Sequence, residues 1–255
     1  MEQILKNLFD EYGISYTTEQ INQLIKFYKM VVETNEKFNL TAITEENDFA
    51  IKHILDSILP ISLLPQNASV IDIGAGAGFP SIPLKILRPD LNITMLDSLN
   101  KRVNFLNDVI VALNLKNITA VHARAEDYAI KNREKFDIAI ARAVASLVTL
   151  SEYCLPFVKV GGKFIALKGS SLNEELSQAN YAIQLLGGKT KDIQKIYVKQ
   201  IDATRENLTV EKVKSTDKKY PRGKNLPRLK PLVASQQWIM MTNKISALLS
   251  RQLMN

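Results

Sequence analysis

Three glycines spaced two apart, Gly74, Gly76 and Gly78, follow an acidic residue, Asp72, in the apolar run Ser69 to Ile73. Glycine lets a ligand approach the backbone because no Cβ stands in the way, and it accepts a positive φ in a tight turn. Beyond the turn, Ile82, Leu84, Ile86 and Leu87 carry helical spacing. Strand, glycine turn and helix make the first half of a βαβ unit, where open α/β sheets take their ligands. The spacing speaks against a dinucleotide. A G-x-G-x-x-G fingerprint needs a third glycine to seat the helix on the strand, but counted from Gly74 that place is Phe79, and from Gly76 it is Ser81. Asp97 ends a second apolar run, Leu91 to Leu96. A carboxylate there accepts both hydroxyl hydrogens of a ribose, which fits an adenosyl ligand; capping the following helix beside Ser98 and Asn100 is the competing role.

Other chemistry finds little support. No G-x-S-x-G elbow occurs. Two histidines, His53 and His122, fall short of a zinc set. The single cysteine, Cys154, excludes a disulfide framework, fits a reducing compartment, and sits in the apolar stretch Tyr153 to Val158 as a small core residue. His53 and Asp56 stand three apart on an expected helix, where a hydrogen-bonded helix contact outweighs a catalytic dyad.

The elements that must position the glycine turn follow from periodicity. Helices are expected over 2–12, from Thr17 or Thr18 onward, and from Asp48 to about Leu59. Strands are expected at Ser69–Ile73, Leu91–Leu96, Ile118–His122, Phe136–Ile140 and Lys163–Leu167, the last after a turn at Gly161-Gly162. Helices over Lys101–Leu113, Leu147–Pro156 and Leu172–Leu186 fall between or after them, and Ile196–Ile201 with Leu208–Val213 read as a closing hairpin. Repeated β-α-β units imply a parallel sheet with right-handed crossovers. Three units result: a helical cap over 1–65, an α/β domain over 66–214, and a basic segment with a C-terminal helix over 215–255, in one compact body. In the tail, Trp238, Met241, Ile245, Leu248 and Leu249 fall near one helical face.

Composition is that of an ordinary globular protein, 46% hydrophobic and 23% charged over 255 residues. No run approaches the roughly 20 apolar residues of a membrane span, and no signal peptide is apparent, so the expectation is cytoplasmic. Residues 205–232 hold nine Lys or Arg against three Asp or Glu, a net +6 of the chain's +7. A basic segment on a neutral body reads as a docking strip for a polyanion. Its densest part is Lys218, Lys219, Arg222, Lys224, Arg228 and Lys230, and Pro221, Pro227 and Pro231 make it an extended strip.

The pattern Asp72-x-Gly74-x-Gly76-x-Gly78 is similar to the first motif of class I S-adenosylmethionine methyltransferases. Further stretches carry a narrower likeness: Asn39-Leu40-Thr41, His53-Ile54-Leu55-Asp56-Ser57, Gly78-Phe79-Pro80, Asp97-Ser98 with Lys101-Arg102-Val103, Arg124-Ala125-Glu126, Ala141-Arg142-Ala143-Val144-Ala145 and Lys219-Tyr220-Pro221-Arg222. With these the chain resembles the bacterial RsmG (GidB) family, which methylates a guanine at N7 in 16S rRNA. The resemblance implies a Rossmann-like, mostly parallel seven-stranded sheet with an antiparallel edge strand, preceded by N-terminal helices. It implies S-adenosyl-L-methionine as cofactor, with contacts at Gly74, Phe79, Ala125, Glu126 and Arg142, to which the reading of the glycine turn and of the second strand end adds Asp72, Gly76, Gly78 and Asp97. Arg142 is also the residue expected to position the guanine or a phosphate. By the family assignment the target is guanine 527. The expected partner is 16S rRNA or the small ribosomal subunit, with no metal and no membrane, and the chain is expected to be a monomer. Guanine N7 has an in-plane lone pair and no proton to lose, so direct displacement needs alignment rather than a general base. The text between Arg222 and Lys230 keeps the family's proline-and-lysine pattern only in part, and the chain runs on past Leu232, where the family commonly stops.

Overall fold

Four short apolar runs assemble side by side as parallel strands, the inner ones largely buried and the edge one partly exposed. They are β1 (Ser69–Ile73), β2 (Asn92–Asp97), β3 (Ile118–His122) and β4 (Phe136–Arg142). The computed structural model, which describes residues 1–142, 144–170 and 172–234, continues the sheet through β5 (Val158–Lys168), β6 (Gly188–Val198) and β7 (Ala203–Lys212). The order is β3-β2-β1-β4-β5-β7-β6. Strands β1 to β5 run parallel, and β7 runs antiparallel to both β5 and β6, so the hairpin forms the antiparallel edge region. The reversal of order at β1 and β4 opens a crevice at the carboxyl ends of these strands.

Alternation along each strand divides the core in two. Val70, Met95, Ile138, Ile140 and Ile165 face a cluster completed by the N-terminal helices Glu2–Glu11 and Thr18–Asn35, with helices Ser81–Leu87 and Asn100–Ala112. Ile71, Ile73, Ala139, Ala141 and Phe164 face the other cluster, under helices Ala125–Asn132, Leu147–Cys154 and Leu172–Leu185. Cys154 is fully buried in that second cluster. Helix Thr18–Asn35 begins in a capping box, Thr17 accepting from the Gln20 N–H while the Gln20 side chain accepts from the Thr17 N–H. The next helix spans 46–58 and contains one turn of π-helix, Ala50–Leu55, that carries His53.

Some elements differ from the sequence expectation. Strand β6 begins at Gly188, eight residues before Ile196, because its backbone pairs with β7 from there; lysines at 189, 191 and 195 break the apolar pattern that marks a strand in the sequence. Gly161-Gly162 lies inside β5 as an irregularity: the register with β4 jumps from Val158 to Lys163. Helix Ala125–Asn132 had no clear periodic signal. The basic segment from Arg205 to Lys230, expected to be an extended strip, pairs in β7 as far as Lys212; beyond it, 213–230 folds back on the body and includes a short helix, Leu226–Leu229. The tail positions Trp238, Met241, Ile245, Leu248 and Leu249 lie outside the described residues.

Candidate active site

A cavity of about 260 Å³ opens at the carboxyl ends of β1 to β4. Its floor is Ile73 and Gly74 from β1; Leu96, Asp97 and Ser98 follow from β2; Ala123 to Glu126 follow β3; Val144 follows β4. Tyr153, Asn225 and Arg228 close the remaining side.

The glycine turn is clasped against β2. Gly74 and Ala75 both donate to the Leu96 carbonyl, at 2.8 and 3.1 Å. Gly74 has φ +74°, and a Cβ there would stand 2.7 Å from the Val144 side chain. Asp97, only 4% exposed, accepts the Gly76 N–H on Oδ2 and the Leu99 N–H on Oδ1, each at 2.9 Å. One side chain therefore fixes the turn and starts the next helix, and each carboxylate oxygen keeps a lone pair for a hydroxyl. Glu126 is buried at the head of its helix, where Oε1 accepts the Asn225 N–H at 3.3 Å.

Gly78 has a different task. At φ +99° its absent Cβ would meet Ile82 at 2.6 Å, Leu106 at 3.1 Å and Phe27 at 3.3 Å. That is a packing contact, and it seats the N-terminal helices against the turn. Phe79 continues it, in ring contact with Phe27 and Phe49 and stacked on His53 at 4.4 Å. Asp72 is fully buried behind the turn: Oδ2 accepts from Ser81 Oγ at 2.7 Å, and Oδ1 has no partner among the described residues. Burial pushes its carboxyl up to about 7, against the pull of the Ser81 hydrogen bond and of Arg142.

Arg142 lies at the end of β4, pointing into a second cluster. Its guanidinium donates to Asp56 Oδ2 at 2.9 Å, to the Lys52 carbonyl at 3.0 Å and to His53 Nδ1 at 3.1 Å, and stands 5.0 Å over the Phe79 ring. Arg205 Nε reaches the other Asp56 oxygen at 2.7 Å. Because Nδ1 accepts from Arg142, His53 donates through Nε2 to Thr41 Oγ1, 2.7 Å away. Burial and the adjacent Arg142 charge push the His53 imidazole down to about 4, so it is neutral at physiological pH. Asp56, Arg142, Lys168, Gly169 and Arg205 border a cavity of about 210 Å³. Val144 and Arg142, two residues apart, thus line two different cavities.

Residues 20–206 match the family profile described as rRNA small subunit methyltransferase G, GidB. The chain belongs to the GidB family. It is 48% identical over 233 residues to ribosomal RNA small subunit methyltransferase G of Clostridium botulinum (strain ATCC 19397 / Type A), covering 90% of this chain and 98% of that one. The Brevibacillus brevis protein of the same name is 51% identical over 225 residues, 87% and 94% of the two chains. Among solved structures, M. jannaschii TYW2 in complex with AdoMet shares the fold at 15% identity and a TM-score of 0.52, over 67% of this chain and 79% of that one.

Within this GidB chain the structure brings Gly74, Asp97, Ala125 and Glu126 together on the first cavity, and keeps Asp72, Gly78 and Phe79 behind it. The lining suits an adenosyl donor: a carboxylate with free lone pairs at the end of β2, and a buried acceptor at Glu126 for an exocyclic amine. Tyr153 and Asn225 carry no signal in the sequence, and Asp56, expected to contact His53, pairs instead with Arg142 and Arg205. Arg205 stood inside the basic run, where charge alone hid its pairing with a carboxylate 149 residues away.

The basic strip is only partly a free surface. Arg222 grips the buried Glu152 with Nε–Oε1 at 2.9 Å and Nη2–Oε2 at 2.7 Å. Arg228 lines the cavity. Lys218, Lys219, Lys224 and Lys230 are exposed. Among the described residues no three His, Cys, Asp or Glu side chains group as a metal ion requires, and no helix is long and apolar enough to cross a membrane.

Proposed function

We propose that this rRNA methyltransferase methylates guanine N7 in 16S rRNA, with the donor in the first cavity and the target base at the second. S-adenosylmethionine, when bound, supplies a sulfonium-borne methyl group that passes to the N7 lone pair as the S–CH₃ bond breaks, leaving S-adenosylhomocysteine. No proton leaves the base, so the chain's residues bind and align rather than abstract. Gly74 opens the backbone to the donor's amino-acid end, Asp97 receives its ribose hydroxyls, and Ala125 and Glu126 read its adenine through a backbone N–H and a carboxylate. Asp72, Gly76, Gly78 and Phe79 hold the turn in shape around that site.

The observation that carries the acceptor assignment is the Asp56–Arg142–Arg205 cluster. Two guanidinium groups share one carboxylate beside an open cavity, so each keeps N–H donors to spend on guanine O6 or on a flanking phosphate. Neutral His53 holds Arg142 in place and adds no charge of its own. Lys218, Lys219, Lys224 and Lys230 supply phosphate contacts around the site, the sequence-independent share of the affinity.

The test is transfer of label from S-adenosylmethionine to methyl-free small subunits or 16S rRNA, followed by nuclease digestion and mass spectrometry. Label on guanine N7 is expected. Label on another base or on protein refutes the acceptor, and an Arg142→Ala protein with undiminished transfer refutes the alignment role.

A further inference from the structure

Segment 213–230 is fastened to the body by short, buried bonds and touches the donor cavity by long ones. Lys212 Nζ, fully buried, reaches the Leu155 carbonyl and Thr216 Oγ1, both at 2.6 Å. Arg133 then gathers the carbonyls of Thr216, Asp217 and Tyr220, and Arg222 locks onto Glu152. Over the cavity the contacts lengthen, with Asn225 N–H to Glu126 at 3.3 Å, Tyr153 hydroxyl to Asn225 at 3.4 Å and Arg228 Nη2 to the Val144 carbonyl at 3.2 Å, and one buried bond, from the Thr149 hydroxyl to the Pro227 carbonyl at 3.0 Å, holds the tip between them. Lys224 and Asn225 both sit in the left-handed region, at φ +56° and +58°. Two such residues in succession are disfavoured for chains with a Cβ and persist only where the surroundings hold them. The segment is thus a strap with firm ends and a strained tip over the pocket.

Its two faces carry different chemistry. Asn225 and Arg228 line the cavity, Arg228 from its exposed rim, while Lys218, Lys219, Lys224 and Lys230 lie outside it in solvent. Arg228 spends little of its fork: it meets Val144 and the Tyr153 hydroxyl, and most of its five N–H donors remain. A planar, weakly hydrated guanidinium beside a pocket built for a purine is placed to stack on the ring.

We propose that the strap is a wall of the donor site, with Arg228 lying over the donor's adenosine, and that donor and RNA favour the same closed position of the strap. This rests on S-adenosylmethionine being the donor. A phosphate that bridges Lys224 at the tip to Lys218, Lys219 or Lys230 on the flanking parts ties the tip down, and a bound adenosine gives the tip something to close on. The coupling is reciprocal, so each ligand tightens the other by one common factor.

The experiment is calorimetric titration of S-adenosylhomocysteine into the full chain and its Arg228→Ala and Arg228→Lys variants, with circular dichroism to verify the fold. RNA affinity is then measured on a 16S rRNA fragment with and without S-adenosylhomocysteine. Arg228→Ala is expected to weaken the donor product by roughly tenfold, with lysine failing to restore it. RNA should bind about tenfold more tightly to the donor-loaded wild type, and this gain should vanish in Arg228→Ala. Equal affinity for S-adenosylhomocysteine in wild type and Arg228→Ala, or wild-type RNA affinity indifferent to it, overturns the strap proposal and leaves the proposed reaction standing. Wild type that binds no S-adenosylhomocysteine overturns the donor reading itself, before any variant is compared.

Discussion

Arg222 offers the sharpest test of how the basic segment is divided between structure and surface. Charge patterning makes it one more phosphate contact; its geometry makes it a fastening. The partner Glu152 is 1% exposed and accepts three hydrogen bonds from the one residue, through Arg222 Nε and Nη2 and also its backbone N–H at 2.8 Å. Arg222→Ala removes two of these and strands a buried carboxylate, a change that costs about 3–5 kcal/mol. The Arg222 side chain is itself 24% exposed, so water reaches part of the site and the lower end, about 3 kcal/mol, is expected. For a chain of this size that lowers the thermal midpoint by about 6–12 °C. Urea denaturation followed by circular dichroism measures the loss directly. Adding Glu152→Gln to Arg222→Ala removes the stranded charge and should recover at least half of it. Lys224→Ala, two residues along on an exposed site, should change stability by less than about 0.5 kcal/mol. If Arg222→Ala unfolds within about 1 kcal/mol of wild type while RNA affinity collapses, the fastening role is refuted.

The remaining predictions concern the turn, the buried acid and the strip. Gly78→Ala forces a Cβ into Ile82, Leu106 and Phe27 at φ +99°, so it should cost about 2–4 kcal/mol of stability. Gly74→Ala, at φ +74° with a Cβ 2.7 Å from Val144, should lose stability and donor affinity together, whereas a Gly78→Ala protein as stable as wild type contradicts the packing assignment. Asp72 holds its proton up to about pH 7 when folded, against an ordinary 3.8 for the free group. The folded state therefore binds more protons between these limits, and the Asp72 contribution to stability falls as pH rises through them. Its full extent is on the order of 4 kcal/mol. His53, neutral down to about 4, acts with the opposite sign below its ordinary 6.5, so the wild-type profile partly cancels. The stability of Asp72→Asn relative to wild type should thus climb from pH 4 to pH 7; a flat difference would rule out the raised carboxyl. RNA binding should weaken with salt, and alanine at Lys218, Lys219, Lys224 or Lys230 should each lower the log–log slope by about 0.7–0.9. Unchanged slopes would remove those lysines from the interface.

The sequence alone determined the parts of this protein that short-range patterning controls. The glycine turn, the strands at Ser69–Ile73 and Ile118–His122, the helix start at Thr17 or Thr18 and the buried Cys154 follow from periodicity and residue type. The motif text likewise named the family to which the chain belongs. Tertiary structure decided what each charged side chain does. Arg142 and Asp56 are 86 residues apart, Arg205 and Asp56 are 149 apart, and Arg222 and Glu152 are 70 apart. Nothing local in the chain says that these meet. A run of lysines and arginines looks alike whether its members face water or each close on a buried carboxylate, because composition counts charge and not direction. The same holds for the glycines: identical in type and spacing, Gly74 opens on the cavity and Gly78 packs beneath a helix. The sheet and the N-terminal helices that surround them set that difference, since only the assembled core determines which part of the turn borders the cavity.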